Sequence, residues 1–221
     1  MITLHHCVSA RSFRPLWMLE ELGLPYTLRM LSFPPRVLAR EFLQDNPLGT
    51  VPLLCEDGIR MTESAAMCQY LAARYSPNDL DVPVTDPAYG NYLNYLHMGE
   101  ATLTFPQTLV LRYTYFESLE RRQPQVATDY GRWFMARLRT VDATLYQQDY
   151  ICAKRFTAAD VSVGYALLLA EHLGFKPEFS PTVGAYWQRL KQRPAFQRAL
   201  QAQHQAALAQ GVSTVPAPDI R

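Results

Sequence analysis

Hydrophobic and polar residues alternate in short blocks over about the first 75 residues of the chain. An apolar run at 2–7 predicts a strand, and strict alternation at 26–30 predicts a second one. Between them, apolar residues at helical spacing predict a helix that begins near Ser12, a good N-cap residue, and ends at Gly23. Strands joined by a helix in this way are expected to be parallel, with a right-handed crossover.

The next stretch predicts a helix, a hairpin and a second helix. Pro52 opens the hairpin, because proline cannot donate to a sheet ladder and is confined to strand starts, edges and bulges. Asp57-Gly58 supplies the tight turn, and Thr62 is the predicted N-cap of the second helix. The segments are a helix at 35–44 that ends at the turn 46–49, antiparallel strands at 53–55 and 59–61, and a helix at 65–75.

The rest of the chain has long helical patterns and no further signal for a strand pair. One helix start is sharply marked: Thr157 and Asp160 form a capping-box variant, with Phe156 and Val161 as a hydrophobic staple. Helices are predicted at about 88–116, 124–146, 157–172, 181–190 and 194–209. The predicted organisation is an α/β domain at 1–76, a polar linker at 77–87, an all-helical domain at 88–210 and a frayed tail at 211–221.

The composition of the chain limits the classes of function that the protein can have. The 221 residues are 48% apolar and 19% charged, as in an ordinary globular protein, and a net charge of +1 favours neither nucleic acid nor an anionic membrane as a partner. The sequence has no apolar stretch of membrane-span length, and its N-terminus lacks the pattern of a signal peptide. Four cysteines without CxxC spacing are typical of reduced thiols, so we expect a cytoplasmic protein. The histidines lie on separate segments or strand faces, so no metal site is predicted.

Four motifs in sequence order give the chain a family resemblance: SFRPLWMLEELGLPY, NPLGTVPLL, TESAAMCQYL and FTAADVSVGYAL. With them the chain resembles the cytosolic glutathione transferases, and its first loop resembles that of bacterial members of the serine type. The resemblance covers nearly the whole chain and implies an α/β thioredoxin-like N-terminal domain followed by an all-α helical domain. It implies an enzyme that conjugates the thiolate of glutathione, a co-substrate and not a permanently bound cofactor, to small apolar electrophiles. A homodimer is also implied, in which the first domain of each chain packs against the helical domain of the other.

The resemblance implies a glutathione site at the mouth of the hairpin. In the family, the peptide bond before the proline matching Pro52 is cis, and the backbone of the residue matching Val51 pairs with the cysteinyl unit of glutathione. The residues matching Glu63 and Ser64 hold the γ-glutamyl end, which agrees with the preference of a helix start for a carboxylate. The alternative interpretation of Glu63 and Ser64 is that they only begin a helix.

Thr50 departs from the family pattern, because many relatives carry a lysine there that reaches the glycyl carboxylate of glutathione. Thr50 therefore lowers the expected affinity for glutathione and leaves the expected fold unchanged. The candidates to compensate for the missing charge are Gln44, Arg36 and Arg40, and Arg11 in the first loop is a further candidate contact.

A donor aimed at the sulfur is needed, because a free thiol titrates near ~8.5 and the reaction requires a thiolate at neutral pH. The family places this donor between the first strand and the first helix, where the absence of a tyrosine before Tyr26 excludes the tyrosine type. Alignment back from residues 20–23 puts Ser9 at the catalytic serine position. Ser12 is the second candidate, and its alternative role is helix capping. Cys7 lies inside the strand pattern and is interpreted as a buried structural thiol.

The electrophile pocket is expected between the two domains, along the first helix of the second. The candidate lining residues are Tyr95, Met98, Thr102 and Tyr113, although a stripe of this kind is more often part of a core.

Two other functions compete with conjugation. Glutathione-dependent thiol-disulfide or peroxide chemistry would need a cysteine in the loop at 9–12, which has none. A transferase-like module that binds ligands without catalysis is favoured by Thr50 and by Ala10, which stands where some bacterial members of the family keep a serine. Val51-Pro52 and Glu63-Ser64 argue for a working site.

Overall fold

The computed structural model describes residues 1–75, 77 and 79–218. Ser76 and Asn78, at the predicted junction of the first domain and the linker, and 219–221, in the predicted tail, lie outside the described residues. By their contacts the residues group into two compact units, Met1–Asn78 with Gln192–Arg221, and Asp79–Lys191.

A four-stranded mixed sheet forms the centre of the first unit. Its strands are β1 (Ile2–His6), β2 (Tyr26–Met30), β3 (Leu53–Glu56) and β4 (Ile59–Met61). They lie in the order β2-β1-β3-β4, with β1 parallel to β2 and β3 antiparallel to both β1 and β4. Asp57 and Gly58 have φ of 47° and 84°, as a two-residue hairpin turn requires. The predicted strands and their directions are confirmed.

The helices are divided between the two units. Those of the described residues are α1 (Phe13–Leu22), α2 (Pro35–Leu38), α3 (Ser64–Arg74), α4 (Tyr89–Met98), α5 (Phe105–Leu111), α6 (Pro124–Leu145), α7 (Ala158–His172), α8 (Pro181–Lys191) and α9 (Pro194–Ala209). The helices α1, α2, α3 and α9 belong to the first unit, and α4 to α8 belong to the second.

The last helix, α9, packs on α1 in the first unit. The ring of Phe196 meets the rings of Trp17 and Phe13 edge-on, at centroid distances of 4.9 and 5.4 Å. Beside them, Arg193 donates to both oxygens of Glu21 at 2.6 and 2.8 Å. The sequence analysis assigned this helix to the all-helical domain. Its amphipathic pattern shows that one face is buried, but the pattern does not show which surface covers that face.

Two helix boundaries in the first unit differ from the prediction, and at a third, the start of α1, the position is confirmed but the predicted capping bond is absent. The N-cap of α3 is Glu63, in an extended conformation, so Thr62 lies one residue too early to cap it. Ser12 precedes α1 with the helical angles φ −63° and ψ −11°, and its side chain makes no capping hydrogen bond. The predicted helix at 35–44 is broken at Ala39, whose φ of −140° and ψ of 63° separate α2 from a 3-10 helix. Ala39 is buried in a core cluster, so tertiary packing overrides the local helical pattern there.

The second unit is helical, as predicted, and α7 begins with the predicted capping box. Thr157 Oγ1 accepts from Ala159 N at 3.3 Å, and Asp160 Oδ2 accepts from Thr157 N at 2.9 Å. Asp160 Oδ1 also accepts from Ile151 N and from the Tyr186 hydroxyl, at 2.9 and 2.8 Å. Burial raises the pKa of Asp160 to about 6, although these hydrogen bonds favour the charged form. One buried carboxylate therefore joins the start of α7 to two other segments.

Two π-helical segments, Gly99–Thr104 and Arg112–Phe116, interrupt the predicted first helix of this unit. The first ends shortly before Pro106, which cannot donate an intrahelical hydrogen bond and crowds the preceding turn. Gly99 lies against Ser162 of α7 so closely that a Cβ there would be 2.3 Å from Ser162 Oγ. The interruption therefore accompanies a proline and a close crossing of two helices.

Candidate functional site

The sheet brings the loop after β1 beside the start of β3. The two strands are antiparallel with His5 opposite the first residue of β3, so the loop that follows β1 lies next to Val51-Pro52, which precedes β3. Cys7 and Val51 belong to one buried cluster, and Ala10 packs against it. The first loop and the mouth of the hairpin, which the sequence marked separately, therefore form one edge of the first unit.

Asn46 holds the turn that leads into β3. Its Nδ2 donates to Thr50 O at 2.8 Å, and its Oδ1 accepts from Leu48 N at 3.1 Å. Gly49 has φ of 60°, and a Cβ there would lie 2.7 Å from the nearest side-chain carbon. The bond between Val51 and Pro52 is cis, the isomer that the resemblance implies. The sequence analysis predicted a turn here but did not identify the buried Asn46 as the residue whose amide holds it.

Ser9 is partly exposed in this edge and takes the left-handed φ of 51°. Its backbone N–H donates to Gln203 Oε1 at 2.9 Å, and Gln203 Nε2 donates to Ser9 Oγ at 3.2 Å. Gln203 is a buried residue of α9. Sequence reasoning missed it, because a glutamine in a helix far along the chain carries no local signal of this contact.

Ser12 and Cys7 lie deeper than Ser9. Ser12 is 0% exposed, and its Oγ makes only long contacts with Cys7 N at 3.4 Å and Cys7 O at 3.5 Å. Burial raises the pKa of the Cys7 thiol to about 12, so this thiol keeps its proton at neutral pH. Among the polar side chains Ser9, Ser12 and Cys7, Ser9 is the one with surface that a ligand can reach.

Ser64 begins α3 as a buried residue, with Glu63 exposed beside it. Ser64 Oγ accepts from Arg14 Nη1 at 3.1 Å, and Arg14 is 0% exposed within α1. A guanidinium next to a helix N-terminus adds positive charge to a place that already favours an anion. The sequence analysis did not select Arg14, although it is the only charged residue in the apolar run 13–19.

The remaining glutathione-site candidates differ in exposure. Thr50, Gln44, Arg36 and Arg40 are exposed, and Arg11 is partly buried. Their roles stay predictions.

The electrophile candidates lie in the second unit, in two different settings. Met98 and Thr102 line a surface groove of about 540 Å³ along α4 and the π-helical segment that follows. Tyr95 is instead buried, and its hydroxyl contacts Thr144 Oγ1 at 2.5 Å. Tyr113 is partly buried, with the guanidinium of Arg112 5.5 Å from its ring centre. Tyr95 therefore belongs to the helical core, and the lining roles stay predictions.

The described residues offer few further groups for thiol or metal chemistry. All four cysteines are free thiols, and burial raises the pKa of Cys68 to about 12 and of Cys152 to about 11. No group of three or more His, Cys, Asp or Glu residues within 1–75, 77 and 79–218 is arranged to hold a metal ion. Over the same residues, every helix is too short or too polar to cross a membrane.

Known proteins resemble both the sequence and the fold. A family model described as the N-terminal domain of glutathione S-transferase matches residues 4–79. Glutathione S-transferase GstA of Escherichia coli O157:H7 is 30% identical over 195 residues, which are 84% of this chain and 90% of the relative. A glutathione transferase of Methylococcus capsulatus superposes with a TM-score of 0.79 at 25% identity, over 91% of this chain and 98% of that one. A sphingomonad glutathione S-transferase complexed with glutathione superposes with a TM-score of 0.80 at 23% identity, over 90% and 98%. These structures confirm the predicted fold, a thioredoxin-like domain followed by helices.

Proposed function

This chain belongs to the glutathione S-transferase family, and we propose that it joins the sulfur of glutathione to small apolar electrophiles. The observation that carries the proposal is the position of Ser9, a partly exposed serine at the same edge of the first unit as the Val51 backbone. In this proposal the Val51 backbone pairs with the cysteinyl unit of glutathione, and Ser9 donates to its sulfur.

The start of α3 supplies the γ-glutamyl end of the proposed site. Ser64 and the first N–H groups of α3 favour the carboxylate, with Arg14 adding a buried positive charge from α1. Glu63 is exposed and can accept from the ammonium group. The glutathione bound to the sphingomonad enzyme of the same fold supports this ligand.

The required stabilisation of the thiolate matches what one donor can deliver. Lowering the pKa of a thiol by about two units takes roughly 2.7 kcal/mol of differential interaction. A hydrogen bond to a charged group contributes about 1.5 to 3 kcal/mol. The Ser9 hydroxyl alone therefore provides most of the effect.

Replacement of Ser9 by alanine tests the proposal. We expect Ser9→Ala to raise the pKa of the bound thiol by about one to two units and to slow conjugation of an aryl halide at pH 6.5 by roughly tenfold or more. Glutathione affinity should change little, because binding rests on Val51, Glu63 and Ser64. Ser12→Ala is the matched comparison and should keep the thiol pKa, since Ser12 is buried. An inactive Ser12→Ala enzyme beside a fully active Ser9→Ala enzyme would contradict the assignment.

The second candidate function is binding of glutathione or another ligand without turnover. It is favoured by Thr50, an exposed hydroxyl where the resemblance places a lysine. Retention on immobilised glutathione without turnover of any aryl halide would support it. Thiol-disulfide chemistry is disfavoured, because the loop at 9–12 has no cysteine and Cys7, which precedes that loop, is buried.

The setting proposed for this activity is a cytoplasmic homodimer that removes reactive compounds. Four free thiols are typical of a reducing compartment.

A further inference from the structure

The amide of Gln203 makes three hydrogen bonds at the first loop. Its Oε1 accepts from Ser9 N and lies 2.9 Å from His6 Nε2, and its Nε2 donates to Ser9 Oγ at 3.2 Å. Gln203 is 4% exposed and His6 is 0% exposed, so the bond between them is shielded from water, whereas the two bonds to Ser9 are partly buried. The three contacts join α9, β1 and the loop that carries the proposed thiol-activating serine.

The chemistry of the groups fixes the orientation of this amide. A backbone N–H can only donate, so the Gln203 atom that faces Ser9 N must be the oxygen. The NH₂ group then faces Ser9 Oγ, and Ser9 Oγ must accept from it. Since a hydroxyl has a single hydrogen, the hydrogen of Ser9 is directed away from Gln203.

His6 reinforces the same orientation. Because Gln203 Oε1 is an acceptor, His6 Nε2 must carry the ring hydrogen. Burial lowers the pKa of His6 to about 4, so the ring is neutral and has one hydrogen at neutral pH. Cys7, the residue that follows β1, is also uncharged at neutral pH, because burial raises its pKa to about 12. On the side of α1, the charged pairs Arg193–Glu21 and Arg198–Glu20 lie a turn or more before Gln203 along α9.

The backbone of Ser9 shows why an anchor is needed. Its φ of 51° lies in the left-handed region, which a residue with a side chain rarely adopts. A strained residue of this kind persists only where its surroundings hold it, and the bonds from Gln203 act on both its N–H and its hydroxyl.

We propose that Gln203 is a positioning residue for thiol activation, which holds Ser9 in its left-handed conformation and turns the Ser9 hydroxyl so that it donates to the sulfur of glutathione. This inference rests on the proposed function, in which Ser9 is that donor. Gln203 itself does not touch the sulfur in this arrangement and acts through Ser9.

The test compares the pKa of the enzyme-bound thiol in variants of the full chain. The pKa is read from the ultraviolet absorbance of the thiolate across pH and from the pH profile of kcat/KM with an aryl halide. Gln203→Met removes all three bonds, and Gln203→Glu keeps the acceptors but no longer donates to Ser9 Oγ. Gln205→Ala, at an exposed glutamine of the same helix, is the control. Circular dichroism checks that each variant is folded.

We expect both Gln203 variants to raise the pKa of the bound thiol by about 0.5 to 1 unit, which slows conjugation at pH 6.5 about three- to tenfold. The KM for glutathione should stay within about twofold, because a positioning role changes kcat and not binding. In a Ser9→Ala background, Gln203→Glu should have no further effect on the pKa, since its route to the sulfur is gone. Gln205→Ala should match the wild type throughout.

The possible failures can be told apart. If the wild type neither binds glutathione nor shows a lowered thiol pKa, the proposed function is wrong. If Ser9→Ala leaves that pKa unchanged while the wild type conjugates glutathione, the assignment of Ser9 as the donor is wrong, and the role of Gln203 with it. If Ser9→Ala raises the pKa but Gln203→Glu does not, only the role of Gln203 is wrong. The same conclusion follows if Gln203→Glu acts fully in the Ser9→Ala background. If Gln203→Met fails to fold, Gln203→Glu, which keeps the bonds to His6 and Ser9 N, decides the question.

Discussion

Among the individual side chains, His6 is the one whose burial most directly makes the stability of the protein depend on pH. Its imidazole is 0% exposed, and burial lowers its pKa from 6.5 to about 4. In the unfolded chain the ring takes up a proton near pH 6.5, whereas in the folded protein it resists protonation down to about pH 4. His6 therefore contributes stability that is complete above pH 6.5 and is lost progressively as the pH falls towards 4.

We predict that His6→Gln flattens the pH dependence of stability. Between pH 7 and pH 5 the free energy of unfolding of the wild type should lose about 2 kcal/mol more than that of the variant. Urea unfolding at several pH values measures this difference, with the exposed His204→Gln as the control. Asp160 has a raised pKa and acts in the opposite direction, but it is present in both proteins and cancels. Equal slopes in the wild type and His6→Gln would mean that the pKa of His6 is the same in the folded and the unfolded protein.

A second prediction about individual side chains concerns the reactivity of the four cysteines. Burial raises the pKa of Cys7 and Cys68 to about 12, and Cys55 is the partly exposed thiol of the four. A pKa raised from 9.0 to about 12 lowers the thiolate fraction at neutral pH about a thousandfold. We therefore expect an alkylating reagent to label Cys55 first in the native protein and all four cysteines after unfolding, as mass spectrometry can show. Rapid native labelling of Cys7 would place a reactive thiol beside the proposed site.

Local signals predicted the strands and helices well where the structure depends on local interactions. The hairpin turn at Asp57-Gly58 and the capping box at Thr157 and Asp160 were recoverable from sequence, because each is made by residues a few positions apart. Ala39 shows the limit, since a good helix former leaves the helical conformation to enter a buried cluster. The contacts of Ser9 with Gln203 and of Ser64 with Arg14 also join distant segments, so the sequence could nominate Ser9 and Ser64 but not the residues that hold them.

The crossing of the π-helical segment Gly99–Thr104 with α7 carries a prediction about how closely helices approach. Gly99→Ala should lower the free energy of unfolding by about 1 to 3 kcal/mol or more, because the new Cβ would be 2.3 Å from Ser162 Oγ and 2.6 Å from its backbone. Gly90→Ala, in α4 with nothing within 4 Å of the new Cβ, should be neutral or stabilise the protein by up to about 1 kcal/mol. Denaturant unfolding of both variants checks the pair. Equal effects would show that backbone propensity, and not the close crossing, determines the cost at Gly99.

For the complete protein, clustered exposed apolar side chains indicate the surface through which two chains would assemble. The segment 37–48 of the first unit carries four exposed large apolar side chains, Val37, Leu38, Leu43 and Leu48, with 54%, 61%, 37% and 62% of their surface accessible. Scattered single residues of this kind are normal on a protein surface, but four in one short segment are typical of an interface. This segment also carries Gln44 and leads into the turn before Val51, so a partner chain that covers it would lie close to the proposed glutathione site.

We predict that the protein is a homodimer and that Leu48 lies in its interface. At micromolar concentration, sedimentation should give a mass near twice the 25.2 kDa of one chain. Leu48→Lys should shift the protein towards the monomer, because a charge placed in the apolar core of an interface must lose its hydration. Leu208→Lys on α9 is the matched control, since Leu208 is 64% exposed against 62% for Leu48. If Leu208→Lys dissociated the dimer and Leu48→Lys did not, the interface would lie on α9, and a wild type of 25.2 kDa would exclude the dimer altogether.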